Sequence, residues 1–174
     1  MKIYQKILFA IFIVYASNIA NAQPNDKVSI GLAAELLNGK SWGGVASFSG
    51  EINYSLSNIY SISGLYRRGS GFGWFGAVEQ RAEMDDDISK YNEISFYLNY
   101  NFDDPILELY FGGGIGVLWG NKQNEENYSI VGFPFVVGNK IKILNDFEIG
   151  LKFIGNINTK TIFAGFGLSL FYNI

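Results

Sequence analysis

The residues best placed for chemistry are nine charges set into apolar, alternating segments: Glu35, Glu51, Arg67, Glu93, Glu108, Lys140, Lys142, Glu148 and Lys152. The chain has no histidine, so imidazole catalysis is excluded. It has no cysteine either, which removes a disulfide framework and a cysteine-linked lipid anchor. The glycine-rich stretch GSGFGWFG, residues 69–76, lacks the Gly-Lys-Ser/Thr of a phosphate loop and reads as a flexible surface loop. Asp85, Asp86 and Asp87 match no calcium-loop spacing; a solvated acidic loop is the expected reading, with contact to a divalent ion as the alternative. No cofactor is expected. What remains for the nine charges is one another, since unpaired charge in a water-poor interior is costly. Arg67 and Glu93 flank one long connection, and Lys140 with Lys142 lies on the segment between those carrying Glu108 and Glu148. A hydrogen-bonded plug is expected, with a narrow ion path as the alternative.

The elements that hold these charges repeat with period two, and beyond the first 22 residues no convincing period of 3.6 appears. Val28 to Leu36, Ala46 to Leu56, Tyr60 to Tyr66, Ile94 to Phe102, Leu107 to Trp119, Val131 to Ile143, Phe147 to Phe153 and Ile162 to Ile174 each alternate an apolar or aromatic set with one rich in Gly, Ser and charge. Pro134 within the sixth segment favours an edge or a bulge there, because proline gives no ladder hydrogen bond. Connections near Ser57-Asn58, Asp103 to Pro105 and Leu144 to Asp146 are short, whereas Asn38 to Gly44, Gly69 to Lys90, Gly120 to Asn127 and Asn156 to Lys160 are longer. Short turns at one end and long loops at the other are the pattern of an outer-membrane barrel.

The faces then invert relative to a soluble sandwich. The apolar set is uniform and aromatic enough to meet lipid, the opposite set small enough for a narrow interior, and each segment, at about 9 to 14 residues, long enough to cross a bilayer tilted. Tyr66 and Trp119 are expected at the outer rim; Tyr54, Tyr60, Tyr100, Phe102, Phe147 and Tyr172 are expected at the inner one. A lipocalin-like soluble barrel is the competing reading.

The first 22 residues have the grammar of a secretory signal peptide: Lys2 and Lys6, an apolar run from Ile7 to Ala16, and Ala20-Asn21-Ala22 before the expected cleavage. The apolar run is shorter than the roughly 20 residues of a spanning helix. Residues 23–174 are then one barrel domain, more acidic than the full sequence at −3, and without the basic stripe that nucleic acid requires.

Over residues 28 to 174 the chain resembles the small eight-stranded bacterial outer-membrane barrels, similar to the OmpA transmembrane domain and OmpX. The final segment FGLSLFYNI matches that family at Phe166, Leu168, Leu170 and Tyr172, with Ile174 where the family usually has Phe. The resemblance implies an all-β, antiparallel, up-and-down transmembrane β-barrel in the outer membrane, inserted by the barrel assembly machinery and in contact with outer-membrane lipid and lipopolysaccharide. The absence of histidine weighs against a resemblance to outer-membrane lipid A acylation or deacylation enzymes, whose mechanisms in this fold class depend on histidine. The expected role is structural or surface-interacting, with Phe72, Trp74 and Phe75 on the 69–90 loop offered to a partner. A small pore is the alternative and a lipid-modifying enzyme a distant third.

Overall fold

The computed structural model describes residues 28–39, 43–57, 59–72, 88–102, 107–122, 127–159 and 162–174, so the expected signal peptide lies outside the described residues. The strands are β1 (Val28–Gly39), β2 (Gly43–Ser55), β3 (Tyr60–Phe72), β4 (Ile88–Phe102), β5 (Leu107–Lys122), β6 (Asn127–Lys142), β7 (Phe147–Asn158) and β8 (Ile162–Asn173). Each pairs antiparallel with its neighbour in sequence, and β1 pairs with β8, closing the eight strands into a barrel. Closure runs from Ser29↔Asn173 to Gly39↔Phe163, so neither β1 nor β8 presents a free edge.

Alternation sorts the side chains as the sequence predicts. Outward residues such as Phe48 and Phe166 are 73% and 71% exposed, while their inward neighbours Ser47, Ser49 and Gly167 are buried. Outward positions of the eight strands carry no acidic residue, and aromatic rings gather at the periplasmic rim: Tyr60 and Tyr172 lie there, Tyr100 stands 4.9 Å from Phe102 and 5.3 Å from Phe111, and Phe147 stands 5.0 Å from Tyr172. An exterior of this kind, around an interior holding ionised groups, is complementary to lipid rather than to water.

Two expectations about boundaries are corrected. The long loop is shorter than Gly69 to Lys90, because β3 continues to Phe72 and β4 begins at Ile88, with Ser70 paired to Lys90 and Gly44 to Phe72. Phe72 therefore belongs to a strand, whereas Trp74, Phe75 and the three aspartates lie outside the described residues. The ladder runs on here because backbone hydrogen bonds need no hydrophobic period, and Gly-Ser-Gly carries none. Pro134 makes neither an edge nor a bulge. Its strand is paired on both sides, and the β5–β6 ladder lapses between Phe135 and Gly132 with the same register on either side. The turns at the periplasmic end are tight: Leu56 N–H donates to Tyr60 O at 2.9 Å, and Ile143 N–H donates to Phe147 O at 3.0 Å.

Candidate functional site in the barrel lumen

Arg67 on β3 and Glu93 on β4 sit opposite one another, 1% and 0% exposed. Arg67 Nη1 donates to Glu93 Oε2 at 2.5 Å, and its Nε donates to Glu35 Oε2 of β1 at 2.5 Å. Glu35 Oε1 is in turn 2.9 Å from Lys152 Nζ of β7, which also lies 3.6 Å from Glu51 Oε2 of β2. The result is a chain of alternating charge, Glu93, Arg67, Glu35, Lys152 and Glu51, drawn from five strands. Neutral donors take up the remaining carboxylate capacity. Ser47 and Ser49 hydroxyls donate to Glu35 at 3.1 and 2.7 Å, and Ser95 Oγ and Asn156 Nδ2 donate to Glu93 Oε1 at 2.6 and 3.1 Å. Asn156 and Lys152 are both on β7, so their reach to β4 and β2 crosses the lumen. Ion pairs of this burial persist only when nearly every lone pair is matched.

A glycine makes the Glu35–Lys152 contact geometrically possible. Glu35 is registered with Gly167 of β8, and Gly167 with Lys152, so the two charged residues are separated by a strand position with no side chain. A Cβ at Gly167 would lie 2.8 Å from Glu35 Cγ and 3.4 Å from Lys152 Cε. Gly167→Val is therefore expected to destabilise the barrel by about 1–3 kcal/mol through overpacking. Urea unfolding in lipid checks this: an unchanged midpoint would show that the pair does not depend on the gap.

The same device fills the two ends of the lumen. Inward aromatic rings lie over cross-strand glycines: Tyr91 over Gly69, Tyr110 over Gly138 and Phe171 over Gly31. Toward the extracellular end, Leu37, Val45, Leu118 and Phe163 join Tyr91 in an apolar layer. Toward the periplasm, Lys140 pairs with Glu108 at 3.2 Å, its ammonium 5.3 Å from the Tyr110 ring centre and 4.9 Å from that of Phe171. At that same end, near the short turns of β2, β3 and β4, Asn99 Nδ2 donates to Ser63 Oγ at 2.5 Å, Ser63 Oγ donates to Asn53 Oδ1, and Asn101 Nδ2 donates to Ser61 Oγ at 3.2 Å.

Of the nine charges, five thus form one network and Glu108 with Lys140 a separate pair. Lys142 and Glu148 are registered opposite one another, but Lys142 is exposed and no ion pair joins them among the described residues. Sequence reasoning missed Tyr91, Phe163 and Phe171 as lumen residues. Their signal was available in the inward phase of their strands and in the glycines opposite. The recess beside Lys152, lined by Gly31, Ser49, Glu51, Ser169 and Phe171, has no room for even one water molecule, far less than a ligand pocket needs. The arrangement braces the barrel from wall to wall with ion pairs drawn from five strands.

No known family profile and no curated protein sequence matches the chain. Solved structures match it by shape. Neisserial surface protein A superposes with a TM-score of 0.59 at 12% identity, over 84% of this chain and 96% of that one. Ail, the attachment invasion locus protein of Yersinia pestis, solved with the heparin analogue sucrose octasulfate, gives 0.55 at 14% identity over 86% and 97%. A de novo designed transmembrane β-barrel gives 0.50 at 10% identity over 84% and 95%. At these identities the likeness is one of fold, and the fold is that of the small eight-stranded outer-membrane barrels.

Proposed function

We propose that the chain is a bacterial outer-membrane barrel with a filled lumen, acting as a structural or surface-interaction protein through its extracellular loops. The observation that carries this reading is the buried Glu93–Arg67–Glu35–Lys152–Glu51 network, which crosses the lumen between opposite walls. A designed barrel shares the fold, so the fold alone confers no activity and the role belongs to what the loops present. Residues 73–87, with Trp74, Phe75 and three consecutive aspartates, are the longest stretch between described strands. Their aromatic and acidic make-up fits a partner protein with an apolar and basic surface. The Ail complex shows a barrel of this shape meeting a soluble ligand, but a sulfated polyanion suits this acidic segment poorly.

Two measurements test this. Purified protein in planar bilayers should show no steady conductance, and stable open channels would favour the pore reading instead. Pull-down with intact cells should recover a partner that is lost when residues 73–87 are deleted; identical capture by the deleted form would remove the loop from the function. Hydrolysis of labelled lipid A by the pure protein would restore the enzyme reading.

The reading also assigns residues 1–22 to a cleaved signal peptide. The mature protein should begin at Gln23 and fractionate with the outer membrane, as N-terminal sequencing of fractionated cells will show. A start at Met1, or recovery in the soluble periplasm, overturns it.

A further inference from the structure

The lipid-facing surface carries two exposed cations on neighbouring strands at the extracellular rim, Arg68 and Lys90. Arg68 on β3 is registered with Asn92 on β4, and Ser70 with Lys90 one rung above. Arg68, Ser70 and Lys90 are exposed, and Asn92 is half-buried. Arg68 and Lys90 are thus diagonal neighbours, a relation that in antiparallel sheets spans about 7–8 Å and that two long side chains close easily around one anion. Below them Tyr66 O–H donates to Asn92 Oδ1 at 3.1 Å, which leaves the Asn92 amide N–H groups free to point toward the same place. The four side chains together offer a guanidinium, an ammonium, a hydroxyl and an amide, all donors. Neither cation has an ion-pair partner among the described residues, and no carboxylate stands on that face of the strands.

The placement is specific. On other strands the rim residues above the apolar band are uncharged, as with Asn38, Asn121 and Ser129. A cation facing lipid at the bilayer midplane is strongly disfavoured but tolerated near the interface. Two cations at the interface, unpaired and turned outward, gain most from anionic headgroups lying alongside the barrel rather than above it. We propose that Arg68, Ser70, Lys90 and Asn92 form a site for a headgroup phosphate of lipopolysaccharide in the outer leaflet, with Tyr66 as the aromatic step beneath it. The site rests on the reading of the chain as an outer-membrane barrel.

The test uses the mature chain folded in nanodiscs or micelles, with native mass spectrometry reading the binding of bisphosphorylated lipid A and of the same lipid stripped of its phosphates. The unmodified protein should prefer the phosphorylated form by about tenfold or more. The double substitution Arg68→Gln with Lys90→Gln should abolish that preference, and Arg68→Lys should keep most of it. Lys142→Gln, which removes an exposed cation at the periplasmic end, should leave it unchanged. Heat-modifiable migration on gels shows that each variant is folded. Equal binding of both lipids by the unmodified protein, or a preference kept by the double variant, overturns the site. A chain that folds in the bilayer without phosphate preference sinks this proposal alone; one that enters no bilayer sinks the membrane reading with it.

Discussion

Replacing Arg67 with alanine should destabilise the folded barrel by about 3–5 kcal/mol, because it strands two buried carboxylates at once. Glu35 loses a two-pronged contact, at 2.5 and 3.4 Å, and Glu93 loses its one cation. Lys152 still holds Glu35 at 2.9 Å, so Glu93 is the group left worst off. Adding Glu93→Ala to Arg67→Ala should therefore cost much less than the sum of the two single changes, with a coupling of about 0.5–3 kcal/mol. Urea titrations in a fixed lipid supply all four corners of the cycle. Additive losses would mean that the two side chains are solvated independently, as they would be in an open pore.

The fold was legible because a membrane barrel writes its faces into the sequence at period two, and the outward set here is almost free of exceptions. The Arg67–Glu93 pair was legible for a local reason: the two residues flank one connection, so antiparallel pairing of neighbouring strands is enough to set them opposite. Glu35 joining Arg67, and Lys152 joining Glu35, were not legible in the same way. Glu35 and Arg67 are on strands separated by β2, and Glu35 and Lys152 on strands separated by β8, so contact depends on the stagger of the closed barrel and on small residues in between. Gly167 is such a residue, and a glycine taken alone carries no direction. The ends of the strands were misjudged where Gly69, Ser70 and Gly71 follow Arg68, because strand signals in sequence come from side chains whereas the ladder is made by backbone. Phe163 and Phe171 were overlooked for a related reason. Their strand was read by its lipid-facing residues, and an aromatic ring in the opposite phase looks like a break in the pattern until the glycines beneath it are counted.

Leu98→Arg should cost the barrel about 2–4 kcal/mol, because it sets a charge near the middle of the lipid-facing band. Leu98 is 56% exposed on β4, flanked along the strand by Phe96 and Tyr100 and opposite Ile62 and Gly113 on the neighbouring strands. None of these offers a carboxylate to a guanidinium, and the interface is a strand's half-length away. Arginine three positions earlier, at Ser95, meets different physics. Ser95 is fully buried, and its hydroxyl lies 2.6 Å from Glu93 Oε1, so Ser95→Arg adds a third cation where the space is already filled. In the unmodified protein that crowding should be destabilising too, and a comparison of single variants alone would not separate the faces. The Arg67→Ala background does. With Arg67 gone, Glu93 lacks a cation and the lumen has room, so Ser95→Arg should recover part of the lost stability by supplying the missing charge from the neighbouring strand. Leu98→Arg in the same background should add its full cost, since lipid outside the wall does not register what is missing within. The unfolding midpoints of the two double variants, measured in one lipid, decide the matter. If Leu98→Arg is harmless in both backgrounds, lipid does not lie outside the barrel, and if Ser95→Arg rescues nothing, Glu93 does not depend on a cation.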